Sequence, residues 1–399
     1  MKKLTVIISL FVFSNSIQAQ GCKAVSRGMA AINKSKIEEA QKHFDTAAIE
    51  IKQALENGET PQTKCYARFH YGMGHIAWQT YESSTVVDLV EKVALLDEAE
   101  KHFINFFELS FQDKSYTTRA STDLEAVANR QKGLAIDYYN EKDFESAMRL
   151  FEKVIRNKSR LGKNYLDLHA YESAAITSAI LGNFDKAIQY INVLLNNPDM
   201  KVNGEVNDPE KNLRRKSSYL ADKGNTKEAL ASLDSALKVF PESIDLKKEK
   251  LRIYNDLGNL DTVLVLLEDI TKEIDDDVQM YTVMGGIYVK KGLLDKSYKA
   301  YQNALKIDPE NKYAIFGLGV YYINRSNEYV NTPDTVSEEE SDRIVKEQHK
   351  NIDQAVFYFN KYLEIEPGDK PTLTTLKQIY QAKGNEEKLA EINKQLMGE

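Results

Sequence analysis

A 34-residue spacing constrains this chain more than any other feature. Gly224, Gly258 and Gly292 fall 34 residues apart, as do Tyr254, Tyr288 and Tyr322, and Pro241 and Pro309 lie two such intervals apart. Three residue types sharing one period indicate a repeated supersecondary unit stacked along an axis. A chain of 399 residues is otherwise too long for one compact core and would split into two or three domains. Hydrophobic residues make up 42% and charged residues 28%, the balance of a folded soluble protein. Glycine (19) and proline (8) are scarce, which argues against long β-rich or disordered stretches.

The segment GLLDKSYKAYQNALKIDP, residues 292–309, shows one unit closely. Gly292 and Pro309 bracket a helical pattern that puts Ser297, Tyr301 and Ala304 on one face. Over 278–311 the residues Tyr281, Met284, Gly285, Tyr288, Ser297, Tyr301 and Pro309 follow the pattern W-x2-L-G-x2-Y…A-x3-F…P. The next unit supplies Ile315, Leu318, Gly319 and Tyr322, then Ala355, Phe359 and Pro367 after an insertion. Ala229 with Leu233 and Pro241 fits an earlier unit, and Tyr254 with Val263 and Leu267 another. The pairs Ala187/Ile191, Ala147/Phe151, Ala99/Phe103 and Ala40/Phe44 suggest units further upstream, and Leu376, Tyr380, Gly384 and Leu389 close the series.

On these residues the chain resembles the tetratricopeptide-repeat (TPR) family, whose unit is a helix–turn–helix of 34 residues. The resemblance implies an all-α fold, a right-handed α-solenoid of about nine repeats covering nearly all of the chain after residue 19. It divides the sequence into a signal peptide (1–19), divergent TPR-like repeats (22–118), further TPR-like repeats (123–198), regular repeats (205–309) and C-terminal repeats (310–399) with an insertion at 325–350. Small residues such as Gly285, Gly319, Ala147 and Ala355 are expected to let the two helices of a unit, A and B, approach closely. Tyr288, Tyr301 and Phe359 fill the space beside them. Glycine just after helix A and proline after helix B read as helix stops.

Three stretches break the register. Residues 80–94 lengthen the second unit, and DMKVNGEVNDPE, 199–210, reads as a loop. The polar, acidic stretch 325–350 reads as a mobile surface excursion with one helical turn, either a tolerated insertion or a binding lid.

The first residues read as a targeting segment. Lys2 and Lys3 precede an apolar run, LTVIISLFVFS, that is too short to span a bilayer, and polar and small residues follow. Cleavage after Ala19 is one outcome. AQGC, residues 19–22, also resembles a lipobox with Ala19 where leucine is usual, so lipidation at Cys22 is the other. Either way the chain is expected to be exported, periplasmic or outer-membrane associated. Cys22 and Cys65, expected near the starts of adjacent parallel helices, then form a disulfide or stay unpaired.

Little in the sequence suggests catalysis. His43, His70, His75, His102, His169 and His349 form no H-E-x-x-H motif, and Gly162-Lys163 lacks the rest of a phosphate-binding loop. No G-x-S-x-G elbow is present. The expectation is therefore a non-enzymatic chain with no metal and no cofactor. A formal net charge of −7 argues against nucleic acid as a partner. The resemblance places Lys211, Arg214, Arg215, Lys248 and Arg252 on the concave helix A side, followed by Val289, Tyr313, Phe316, Val320 and Ile323. A basic stretch beside an apolar one suits a protein or peptide segment carrying acidic and hydrophobic residues. Some family members grip a C-terminal carboxylate with lysine and asparagine on successive A helices. Here those places hold Lys132 with Ile136, and Lys248 with Arg252, so that clamp is not reproduced. The reading is an interaction scaffold or assembly adaptor of the bacterial cell envelope. Its rivals are a solenoid lipoprotein that binds a nutrient or glycan, and a lipid-anchored part of an envelope machine.

Overall fold

A computed structural model describes residues 22–109, 113–328 and 337–397. The targeting segment, residues 1–19, lies outside them, as do residues 329–336 of the insertion. Among the described residues eighteen α-helices follow one another, nine helix pairs for the nine expected repeats. They divide into two compact units, Met1–Ala236 and Leu237–Glu399. The division falls within the 205–309 block of regular repeats.

The first unit contains α1 (22–32), α2 (Ile37–Glu56), α3 (Thr63–Ser83), α4 (Leu89–Glu108), α5 (Lys114–Asn140), α6 (Phe144–Leu161), α7 (Leu168–Ile180), α8 (Phe184–Leu195) and α9 (Pro209–Asp222). Helix α10 (Thr226–Val239) carries the division between the units. The second unit continues with α11 (Ile244–Asp256), α12 (Leu260–Glu273), α13 (Val278–Lys290), α14 (Leu294–Ile307), α15 (Lys312–Glu328), α16 (Glu338–Ile365), α17 (Lys370–Ala382) and α18 (Glu386–Met397). Odd-numbered helices are the A helices and even-numbered ones the B helices.

Local chemistry sets the helix ends. Asp143, Asp167, Asn183, Asp208, Ser243, Asn259, Asp277 and Asp369 each accept a backbone N–H of the first turn. Each thereby satisfies a donor that the helix itself leaves unpaired, worth about 1 kcal/mol. At the other end of the A helices, Gly258 and Gly292 have φ of 69° and 70°, where a side chain would be strained.

A ring on a B helix seats itself against glycines of the flanking A helices. Tyr301 of α14 lies against Gly285 of α13 and Gly317 of α15, and a Cβ added at Gly285 would come 2.5 Å from the ring. In the first unit Phe44 of α2 lies in the same way between Gly28 of α1 and Gly72 of α3. Phe103 of α4 covers Gly74, and Phe359 of α16 covers Gly319. Of the expected small and large residues, Gly285 with Tyr301 and Gly319 with Phe359 thus meet as backbone against ring. No side chain fits there without moving the aromatic.

Two expectations change. Residues 199–210 are not an open loop: Lys201–Val202 and Glu205–Val206 pair as an antiparallel hairpin. Its turn, Asn203-Gly204, has positive φ at both residues (52° and 89°), the geometry that Asn-Gly turns favour. The stretch 325–350 is largely helix rather than an excursion with one turn. Helix α15 runs on to Glu328, and α16 begins at Glu338 and extends for 28 residues. Ser337 accepts the Glu340 N–H, and Glu338, Glu339 and Glu340 crowd the first turn, where the helix dipole favours negative charge. Acidity that reads as mobility in composition is here the start signal of a long helix.

The helix A face and its partners

Within the first unit, α3 and α5 lie side by side with a constant offset of 48 residues. His75 Nδ1 and Asp123 Oδ2 are 2.8 Å apart, and Arg130 Nε donates to Glu82 Oε1 at 3.2 Å. The same offset sets the Arg68 guanidinium 4.9 Å from the centre of the Tyr116 ring and brings the Arg119 charge near the Tyr71 hydroxyl. The rings of Tyr71 and Tyr116 meet edge to face at 5.5 Å. Arg68, Tyr116, Tyr71 and Arg119 thus form one cationic, aromatic row across two A helices. Burial, with the Asp123 charge adding to it, pushes the Tyr71 hydroxyl up to about 12, so it stays neutral. Arg119 also donates to Asn33 Oδ1 at 3.0 Å. Among the described residues, neither Arg68 nor Arg119 forms an ion pair with a carboxylate.

The basic residues singled out in the sequence are placed differently. In the first unit Lys211 and Arg215 both reach Glu172 of α7, at 2.8 and 3.0 Å, and Arg214 beside them is engaged as well. In the second unit Lys248 pairs with Asp277 at 3.2 Å, and Arg252 with Glu249 at 2.7 Å and Asp256 at 3.2 Å. Lys211, Arg215, Lys248 and Arg252 are tied to carboxylates of their own unit. Among the apolar residues, Phe316, Val320 and Ile323 pack against the α16–α17 core, with the Phe316 ring 5.8 Å from Phe359 and 5.1 Å from Tyr362. Val289 packs beside Leu294 and Tyr301. Only Tyr313 of that set is well exposed, at 66%, with the Lys312 ammonium over its ring. Sequence register could not show which of these positions neighbouring helices would take up.

Lys132 is similarly committed inward. It donates to Asp167 at 2.7 Å, and Lys158 reaches the same oxygen at 3.1 Å. Burial pushes the Asp167 carboxyl up, but the Lys132 hydrogen bond and the charges of Lys132 and Lys158 outweigh it and hold it below its ordinary value. A second buried polar chain crosses the same unit: Gln131 donates to Glu100 at 2.7 Å, and Asn157 donates to Gln131 at 3.2 Å. The histidines, unremarkable in sequence, include a buried pair, His70 and His102, with their Nδ1 atoms 2.8 Å apart. Cys22 and Cys65 are joined, linking α1 to α3 with their Cα atoms 5.5 Å apart. Among the described residues no three His, Cys, Asp or Glu side chains are grouped to hold a metal, and no helix is long and apolar enough to cross a membrane.

Residues 278–311, which span α13, α14 and the turn after them, match the family model described as Tetratricopeptide repeat. The chain thus carries a tetratricopeptide repeat at these residues. It is similar to a TPR repeat-containing protein of Methanocaldococcus jannaschii, 33% identical over 25% of this chain and 31% of that one. It is also similar to the Hsp70-Hsp90 organizing protein of Triticum aestivum, 24% identical over 64% of this chain and 46% of the other. The chain therefore spans less than half the length of these two curated relatives. Among solved structures, the C-terminal part of a TPR repeat-containing protein of Cytophaga hutchinsonii is 14% identical, with a TM-score of 0.49, over 66% of this chain and 93% of that one. TPR proteins generally mediate protein–protein interaction and assembly, and they typically do so as non-enzymatic scaffolds.

Proposed function

We propose that this TPR protein is an interaction scaffold of the bacterial cell envelope that holds an acidic protein segment against the helix A face of α3 and α5. That face is the concave one in solenoids of this kind. One observation carries the reading. In a chain of net charge −7, the Arg68–Tyr116–Tyr71–Arg119 row keeps two guanidinium groups that pair with no carboxylate among the described residues, whereas Lys211 and Arg215 are neutralised by Glu172. Arginines held against aromatic rings are pre-ordered to take a partner's carboxylates in a fork of paired hydrogen bonds. The apolar run after Lys2 and Lys3 and the Cys22–Cys65 bond support export, because disulfides persist in oxidising compartments. The bond also bears on the anchor: a Cys22 sulfur joined to Cys65 cannot carry a thioether lipid.

The test compares the full chain with its Arg68→Ala/Arg119→Ala variant on an array of end-capped peptides with and without Asp and Glu. The reading predicts that acidic peptides are retained by the native chain and weakened at least about 10-fold, or about 1.4 kcal/mol, in the variant. Salt should weaken the native interaction. Equal retention by the two proteins would overturn it.

A further inference from the structure

The long helix α16 builds a cavity at a second place, within the unit Leu237–Glu399. Helices α12 and α14 each have 14 residues, and α16 has 28. At about 1.5 Å per residue the added length projects on the order of 20 Å beyond an ordinary B helix. Where it passes the end of α15 and the flank of α17, a cavity of about 840 Å³ remains. That volume is within the usual range of ligand pockets.

Three helix faces converge on this cavity. Ile323 of α15, Ile352 of α16 and Ile379 of α17 supply branched aliphatic surface. Asn327, Gln348 and Gln378, one from each helix, supply side-chain amides. Of the ionisable lining residues, Asp353 and Lys383 pair with each other, and His349 also lines the cavity. An amide both donates and accepts, as a peptide bond requires, and paired charges favour a neutral occupant. Among the described residues the lining includes no Phe, Tyr or Trp ring.

We propose that this cavity is a second binding site, distinct from the α3–α5 face, which takes an uncharged peptide segment carrying a branched aliphatic side chain. The aliphatic side chain enters among the three isoleucines, and the amides of Asn327, Gln348 and Gln378 pair with the peptide's backbone groups. The middle of helix α16, from Gln348 to Asp353, forms one wall of the site.

The experiment uses the full chain on an array of end-capped peptides in which neutral sequences centred on Ile, Leu or Val stand beside acidic and basic counterparts, with an oligosaccharide array in parallel. Two variants are compared: Ile379→Lys, which fills the cavity with a charge, and Gln348→Ala/Gln378→Ala, which removes two amides without touching the core. Circular dichroism checks that both keep native helicity. The proposal predicts retention of neutral aliphatic peptides, at least 10-fold weaker in both variants and unchanged in Arg68→Ala/Arg119→Ala. No retained neutral peptide, retention that both variants preserve, or retention of oligosaccharides alone would overturn it. Independence from the arginine variant separates failure here from failure of the α3–α5 reading.

Discussion

Asp167 in the first unit and Asp277 in the second occupy equivalent places in two different environments. Each caps an A helix, and each pairs with a lysine from the A helix before it, Lys132 in one case and Lys248 in the other. The Asp167 side chain is only 1% exposed and binds a second lysine, Lys158, whereas Asp277 is 25% exposed and faces one lysine that is itself 42% exposed. The same cap and the same pair are thus a buried structural centre in one unit and a surface contact in the other. The contrast extends further. The first unit carries the Cys22–Cys65 bond, the His70–His102 pair and the Glu100–Gln131–Asn157 chain, while the second relies on apolar and tyrosine clusters around Tyr288, Tyr301 and Phe359. One repeat architecture tolerates both because ring-on-glycine packing is shared and the remaining contacts are free to diverge.

The largest expected effect tests the buried aspartate. Asp167→Ala leaves Lys132 and Lys158 facing an empty site and removes the cap on Ala170, so it should lower unfolding stability by about 3 kcal/mol or more. Asp277→Ala loses a cap and a partly screened pair, and should cost about 1–2 kcal/mol. Equal losses in chemical denaturation would erase the distinction between the units.

A smaller effect concerns acid. Burial, with the His102 and Lys101 charges adding to it, lowers His70 from 6.5 to about 4, and burial also lowers His102 although Glu98 opposes it. As pH falls below 6.5 the unfolded chain takes up protons that the folded pair refuses. Stability is therefore lost progressively down to about pH 4. After discounting for partial screening, the His70 share is about 1 kcal/mol at pH 5. Hydrogen exchange should show acid loosening of α3 and α4 that His70→Gln reduces; an unchanged pH profile in that variant would remove the pair from the account.

Much of the second unit was legible in the sequence because period and packing coincide there. Gly285 and Tyr301 recur at family spacing for the reason the structure shows, a ring on bare backbone. The first unit was less legible. The α3–α5 offset of 48 departs from 34 because α3 runs to Ser83 and α4 does not begin until Leu89, so pairs such as His75 and Asp123 could not be read from the period. His70 and His102 are 32 residues apart on different helices, and no local pattern links them. Glu172, which takes up Lys211 and Arg215, lies some 40 residues upstream on another helix. Two signals were present but outweighed by composition: Ser337 with Glu340 as a helix start, and Asn203-Gly204 between Lys201–Val202 and Glu205–Val206 as a hairpin turn.

The central claim is that both units are held by an aromatic ring seated on the glycines of neighbouring A helices. Double-mutant cycles read by chemical denaturation test it most directly, pairing Gly72→Ala with Phe44→Leu in the first unit and Gly285→Ala with Tyr301→Leu in the second. The account predicts that each alanine alone lowers stability by about 1–3 kcal/mol and that each double variant loses clearly less than the sum of its singles. Additive losses in either unit, or an alanine tolerated without loss, would contradict it.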